Sequence, residues 1–172
     1  MTEEGPHGFG TQVGLPDPSS DRRTLQLLLD HDRNRDLLAE WLDGDYRIET
    51  GSDGVPGEAV DLCLVDGSAL AADRRRVREW KHREHPRFAP VVLVVEQSRV
   101  DEVETALRRA ADRDGDDVAP LVDDVVSIPV EKSILERRLV NLLERRDLSS
   151  QVTSAFERAE ERFAALFNAT PE

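Results

Sequence analysis

Three short runs in this chain are apolar almost without interruption: Thr24 to Leu29, Leu62 to Val65 and Pro90 to Val95. A strand with one face in water alternates apolar and polar residues, whereas a strand covered on both faces has no reason to alternate. The runs therefore predict inner strands of a sheet that carries helices on both sides. Two weaker runs, Tyr46 to Thr50 and Val122 to Ile128, bring the set to five.

The segments between the runs carry helical spacing. Leu37, Leu38, Trp41 and Leu42 form one stripe, with Asp32 ahead of it as a candidate cap. Leu70, Val77 and Trp80 mark the buried side of a basic helix over 68–84. Val100, Val103, Leu107 and Ala110 form a third stripe, and Ile134, Leu135, Leu139, Leu142 and Leu143 a fourth, after Pro129. Residues 51–60, with Gly51, Gly54, Pro56 and Gly57, are too broken for a full helix. The alternation predicts an α/β protein with a doubly wound, five-stranded parallel sheet.

At 172 residues the chain is long enough for one domain with a sizeable core and appendages. Residues 1–22, rich in Gly and Pro and poor in apolar side chains, read as a disordered leader. With 36 Asp and Glu against 23 Lys and Arg, the net charge of -13 repels phosphate backbones and argues against nucleic-acid binding. Lys81 and Lys132 are the only lysines. An acidic, lysine-poor surface fits a cytoplasm of high salt, where charge repulsion is screened. The single cysteine, Cys63, lies inside an apolar run and reads as inert packing in a reducing compartment. No run approaches the roughly 20 apolar residues needed to cross a bilayer, so the expected location is cytoplasmic and off the membrane.

Two of the strand runs end on an aspartate, at Asp30 and at Asp66. Ligands of parallel sheets gather at the carboxyl ends of strands, and the first and third strands are neighbours in one common winding order. Two carboxylates converging there would suit Mg²⁺, which takes one or two protein carboxylates and keeps several waters.

With these features residues 23–146 resemble a response-regulator receiver domain, the flavodoxin-like module of two-component phosphorelays. The resemblance rests on Asp61-Leu62-Cys63-Leu64-Val65-Asp66, on Leu29-Asp30-His31-Asp32, and on Val125-Val126-Ser127-Ile128-Pro129. It implies that Asp66 accepts a phosphoryl group from a histidine kinase. It also implies a Mg²⁺ ion held by Asp30, Asp66 and the backbone carbonyl of Ser68. Aligned on Arg35-Asp36-Leu37-Leu38, the first acid of the family's acidic pair is Leu29 here. Val95 stands where the family has Thr or Ser, and Ile128 where it has Lys. These departures leave the alternative of a pseudo-receiver that works through protein contacts alone. No independent catalytic activity is expected in this segment.

The remaining features are weaker. Asp112, Asp114 and Asp116 alternate as in a calcium loop, but the position that needs Gly is Asp117. His82 and His85 read as surface residues, His31 as a neighbour of the proposed pocket, and Arg74, Arg75, Arg76 and Arg78 as a solvated helix face. No P-loop, nucleophile elbow or dinucleotide fingerprint is present. Residues 147–172 read as a signalling helix that leads into a segment, Glu161 to Glu172, resembling the opening of a PAS sensor domain. The implied partners are a histidine kinase, or downstream sensor and kinase domains of the same chain. Homodimerisation through the amphipathic tail is the other reading of that segment.

Overall fold

The computed structural model describes residues 22–51, 56–57, 59–111 and 121–168. Its strands are β1 (Thr24–Leu28), β2 (Arg47–Glu49), β3 (Leu62–Asp66), β4 (Val91–Glu96) and β5 (Asp124–Ile128). Its helices are α1 (Asp32–Leu42), α2 (Gly67–Glu84), α3 (Val100–Ala111) and α4 (Lys132–Asn168). All strand pairs are parallel, in the order β2-β1-β3-β4-β5. Chain direction across the sheet reverses after β2, so β1 and β3 lie side by side and Leu28 is paired with Val65.

The unbroken apolar runs do what such runs should. Alternate side chains leave the sheet on opposite faces, and both faces are covered. Leu25, Leu27, Leu62, Leu64, Val92 and Val94 pack with Leu38 and Leu42 of α1 and with Leu135, Leu139 and Leu142 of α4. Leu28, Cys63, Val65, Val91, Leu93 and Val95 pack with Leu70, Val77 and Trp80 of α2, and Val100 and Val103 of α3 lie against them. Each such side chain contributes about 1.5–3 kcal/mol through burial, which explains why sheet and helices form together. β5, at the sheet edge, has Val126 as its one fully buried residue.

Two local expectations change. Asp32 does not cap α1; His31 occupies the N-cap position without a side-chain bond, and Asp32 is paired instead with Arg35 at 2.6 Å. Leu37 and Ile134 lie at the edges of their stripes, 43% and 38% exposed. The expected helix after Arg146 is present, and it continues the preceding one without a break: α4 runs on to Asn168. Nothing in Asp147 to Gln151 is a helix breaker, so propagation at one hydrogen bond per residue continues past the edge of the domain. The proposed leader and the acidic loop at 112–117 lie outside the described residues.

At the N-terminal edge of the sheet, α4 is tied down by a polar cluster. The Arg146 guanidinium, buried, donates to Glu84 at 2.7 Å and to the Phe88 carbonyl at 2.8 Å, and its Nε reaches Asp61 at 3.4 Å. Asp61 also accepts the Thr24 amide at 2.9 Å. Ser149 Oγ accepts the Phe88 amide at 2.8 Å, and Arg145 lies over the Phe88 ring, 4.5 Å from its centre. Close by, the Lys81 ammonium is bound to Asp123, which accepts the Val91 amide at 2.8 Å.

Candidate functional site

The opposite edge holds the residues that the sequence singles out. β1 and β3 deliver Asp30 and Asp66 to the same place, but the two meet differently from the expected pair of carboxylates. Asp66 is the N-cap of α2, in extended conformation, and its Oδ1 accepts the Ala69 amide at 2.8 Å. Its Oδ2 accepts the backbone amide of Asp30 at 2.7 Å and that of His31 at 3.3 Å. Asp30 thus meets Asp66 through its main chain, while its side chain is exposed. The Asp66 carboxylate clasps the β1–α1 turn to the start of α2, and the helix dipole favours its negative charge at that end.

Beside it lies a cavity of about 190 Å³ whose wall includes Asp66, Ser68, Val95, Glu96 and Ile128. Asp30 is not in that wall. Val95 is buried and offers no hydroxyl; Ile128 offers no ammonium. Glu96 adds a second carboxylate to the cavity, which opposes an incoming anion. Arg99, in the same wall, is paired with Glu102 at 3.5 Å. A wider cleft of about 620 Å³ adjoins it between α1 and the β5–α4 turn, with Leu37, Trp41 and Val130 as apolar lining.

The donor set does not fit a receiver-type Mg²⁺ site. A carboxylate offers about four lone-pair positions, and those of Asp66 already take three amide hydrogens. Leu29, where a first acid would stand, is buried. Ser68 lies in the first turn of α2, since the helix begins at Gly67 directly after the strand. Carbonyls in a helix point towards its C-terminus, away from the cavity at its start. Among the described residues no group of three or more His, Cys, Asp or Glu side chains is placed to hold a metal.

Several residues that organise the molecule escape a reading of patterns. The clasp depends on the main-chain amides of Asp30 and His31, which carry no side-chain signature. Glu84 and Arg146 look like ordinary charged residues in charged helices, yet both are under 10% exposed. Their only sequence signal is position: Arg146 lies four residues after Leu142 and three after Leu143, on the apolar stripe of α4. Cys63 is fully buried, and burial pushes its thiol pKa far up, which fits inert packing. No described helix is long and apolar enough to cross a membrane.

No protein-family model matches the sequence, and a search of curated proteins finds no match. Solved structures do share the fold. NtrX of Brucella abortus, solved with ADP, has a TM-score of 0.61 at 20% identity over 81% of this chain and 30% of its own. The E. coli RcsC C-terminus, containing a linker region and a phosphoreceiver domain, gives 0.52 at 23% identity over 79% of this chain and 51% of its own. The receiver domain of a putative LuxO repressor from Vibrio parahaemolyticus gives 0.53 at 16% identity over 76% and 97%. This chain spans less than a third of the NtrX chain. The fold is the five-stranded flavodoxin-like receiver fold.

Proposed function

We propose that this chain is a receiver-type regulatory module of a two-component phosphorelay protein, and that it acts through protein contacts without phosphate control. The observation that carries the reading is the Asp66 clasp. The carboxylate that a phosphoryl group would have to occupy instead holds three backbone amides together. Val95 and Ile128 support the reading, because the groups that would sense and neutralise a phosphoryl group are replaced by aliphatic ones. A charge-assisted hydrogen bond from a lysine contributes about 1.5–3 kcal/mol, and none is available at Ile128.

The test is chemical. The protein is incubated with acetyl phosphate, or with beryllofluoride, in the presence of Mg²⁺, and followed by intact mass and by amide NMR. The expected result is no covalent adduct and no shift at Asp66. An adduct lost in Asp66→Asn would overturn the reading and make Asp66 a phosphoacceptor.

Around this core we read 147–162 as the helix that passes the state of the domain to a following segment, with a PAS-like sensor domain beginning near Glu161. The partners are then a histidine kinase or the downstream domains of the same chain. The acidic, lysine-poor surface is read as adaptation to a salty cytoplasm. Thermal midpoints should climb steadily from dilute buffer to molar KCl, and a flat or falling curve would remove that part of the reading.

A further inference from the structure

The last part of α4 presents an apolar stripe that nothing in its own domain covers. Leu148, Val152, Phe156 and Phe163 are 61%, 70%, 64% and 65% exposed. From Asp147 to Asn168 the helix extends about 33 Å at roughly 1.5 Å per residue. A helix this exposed is not sustained by packing on its own domain, and contiguous large apolar groups in water mark an interaction surface.

The spacing specifies the kind of partner. Leu148 and Ala159 are eleven residues apart, as are Val152 and Phe163. An eleven-residue repeat keeps one stripe on one face of a nearly straight helix, the pattern of helices that pair along their length. The charges beside the stripe are divided by sign. At about 100° per residue, Glu157 and Glu160 lie on one flank, while Arg158 and Arg162 lie on the other. All are exposed, and among the described residues neither Glu157, Glu160 nor Arg162 is engaged in an ion pair.

We infer that this stripe pairs with the same stripe of a second copy, and that the two helices run parallel. In a parallel pair each helix presents opposite flanks to its partner, so the glutamate flank of one faces the arginine flank of the other. In an antiparallel pair like flanks meet, glutamates against glutamates and arginines against arginines, which is repulsive. The two receiver-fold domains then sit at the same end of the paired helices, and whatever follows Asn168 is brought together at the other. The inference stands whether or not Asp66 accepts phosphate.

Variants of the full chain with one cysteine added test both partner and direction. Val152→Cys and Phe163→Cys are made separately, and Cys63, fully buried, does not compete for oxidation. Parallel pairing places equal positions side by side, so each variant alone forms a covalent dimer on mild oxidation. A mixture of the two gives no crosslink between unlike chains, because those positions are about 16 Å apart along the axis and a disulfide needs its Cα atoms within roughly 7 Å. Light scattering should give a dimer for the unmodified chain. The double variant Phe156→Glu with Phe163→Glu should be a monomer with unchanged near-ultraviolet circular dichroism. A monomeric unmodified chain would overturn the inference and assign the stripe to another partner. Crosslinks between unlike chains as abundant as those between like chains would overturn the parallel direction.

Discussion

At the N-terminal edge of the sheet, Arg146 is closed in by Glu84, Asp61 and the Phe88 carbonyl, and Lys81 by Asp123 and the Leu121 carbonyl. At the C-terminal edge, Asp66 meets only backbone amides, and its cavity is lined by Val95 and Ile128 where charged or hydroxyl groups would complete a phosphate site. One edge pairs cations with anions at half-buried or buried positions. The other gives Asp66 backbone amides in place of a cation and uses its charge to hold two turns in place. The contrast teaches that the polar chemistry of this domain has been invested in fastening α4 to the sheet, at the edge away from the cavity.

The comparison can be broken most directly at Arg146. Arg146→Met strands the Glu84 carboxylate in a site that is 6% exposed. A broken buried pair costs about 3–5 kcal/mol, read as a fall in the urea midpoint at unchanged slope. Arg146→Met combined with Glu84→Leu should recover most of that loss, because no uncompensated charge remains. If the single variant loses no more than the double one, the buried Arg146–Glu84 pair does not anchor α4.

At the other edge the expected effect is smaller. Asp66→Ala removes the cap of α2 and the acceptor for the Asp30 and His31 amides, at a cost of about 1–2 kcal/mol. Asp66→Asn keeps an oxygen for the Ala69 amide but turns an NH2 donor towards the Asp30 and His31 amides, so it should recover only the part of the loss that belongs to the cap. Equal losses in the two variants would mean that the cap contributes nothing and that the charge or the clasp is what matters at Asp66.

Lys81→Met should cost less again, about 1 kcal/mol. Lys81 and Asp123 side chains are each 18% exposed, and Asp123 keeps the Val91 amide as a partner when the ammonium is gone. A loss as large as that of Arg146→Met would show that the anchoring is shared equally between the two cations.

The last effect is alkaline. Burial raises the Cys63 thiol pKa above its ordinary 9.0 in the folded state. Below that pH both folded and unfolded chains hold the proton, and the contribution to stability is complete. Above it the unfolded chain ionises first, so the folded state binds more protons and stability declines as pH rises. Burial raises the Tyr46 phenol in the same direction, and the nearby Asp45 adds to it. Urea midpoints taken between pH 8 and pH 10 should therefore drift downward, and less steeply in Cys63→Ala. A steeper drift in that variant would contradict the burial of the thiol.

Much of the architecture was legible along the chain because its signals are local. Continuous apolar runs marked β1, β3 and β4, and stripes at helical spacing marked the faces of α1, α2 and α4 that the sheet receives. The adjacency of β1 and β3, hence of Asp30 and Asp66, was readable from the winding order. What the two aspartates do there was not. The Asp66 clasp spans 36 residues to Asp30, and the Arg146 contact with Asp61 spans 85. Hydrogen bonds of that reach depend on where separate elements come to rest, and backbone donors leave no mark in side-chain pattern. Helix was legible on both sides of Arg146, but not that the two are one: the apolar stripe shifts there, although no residue stops a helix. Periodicity, a property of neighbours, thus determined the sheet and its layers. Tertiary placement alone decided that one strand-end carboxylate would serve as a clasp and that an arginine near the end of the apolar stripe would be buried as an anchor.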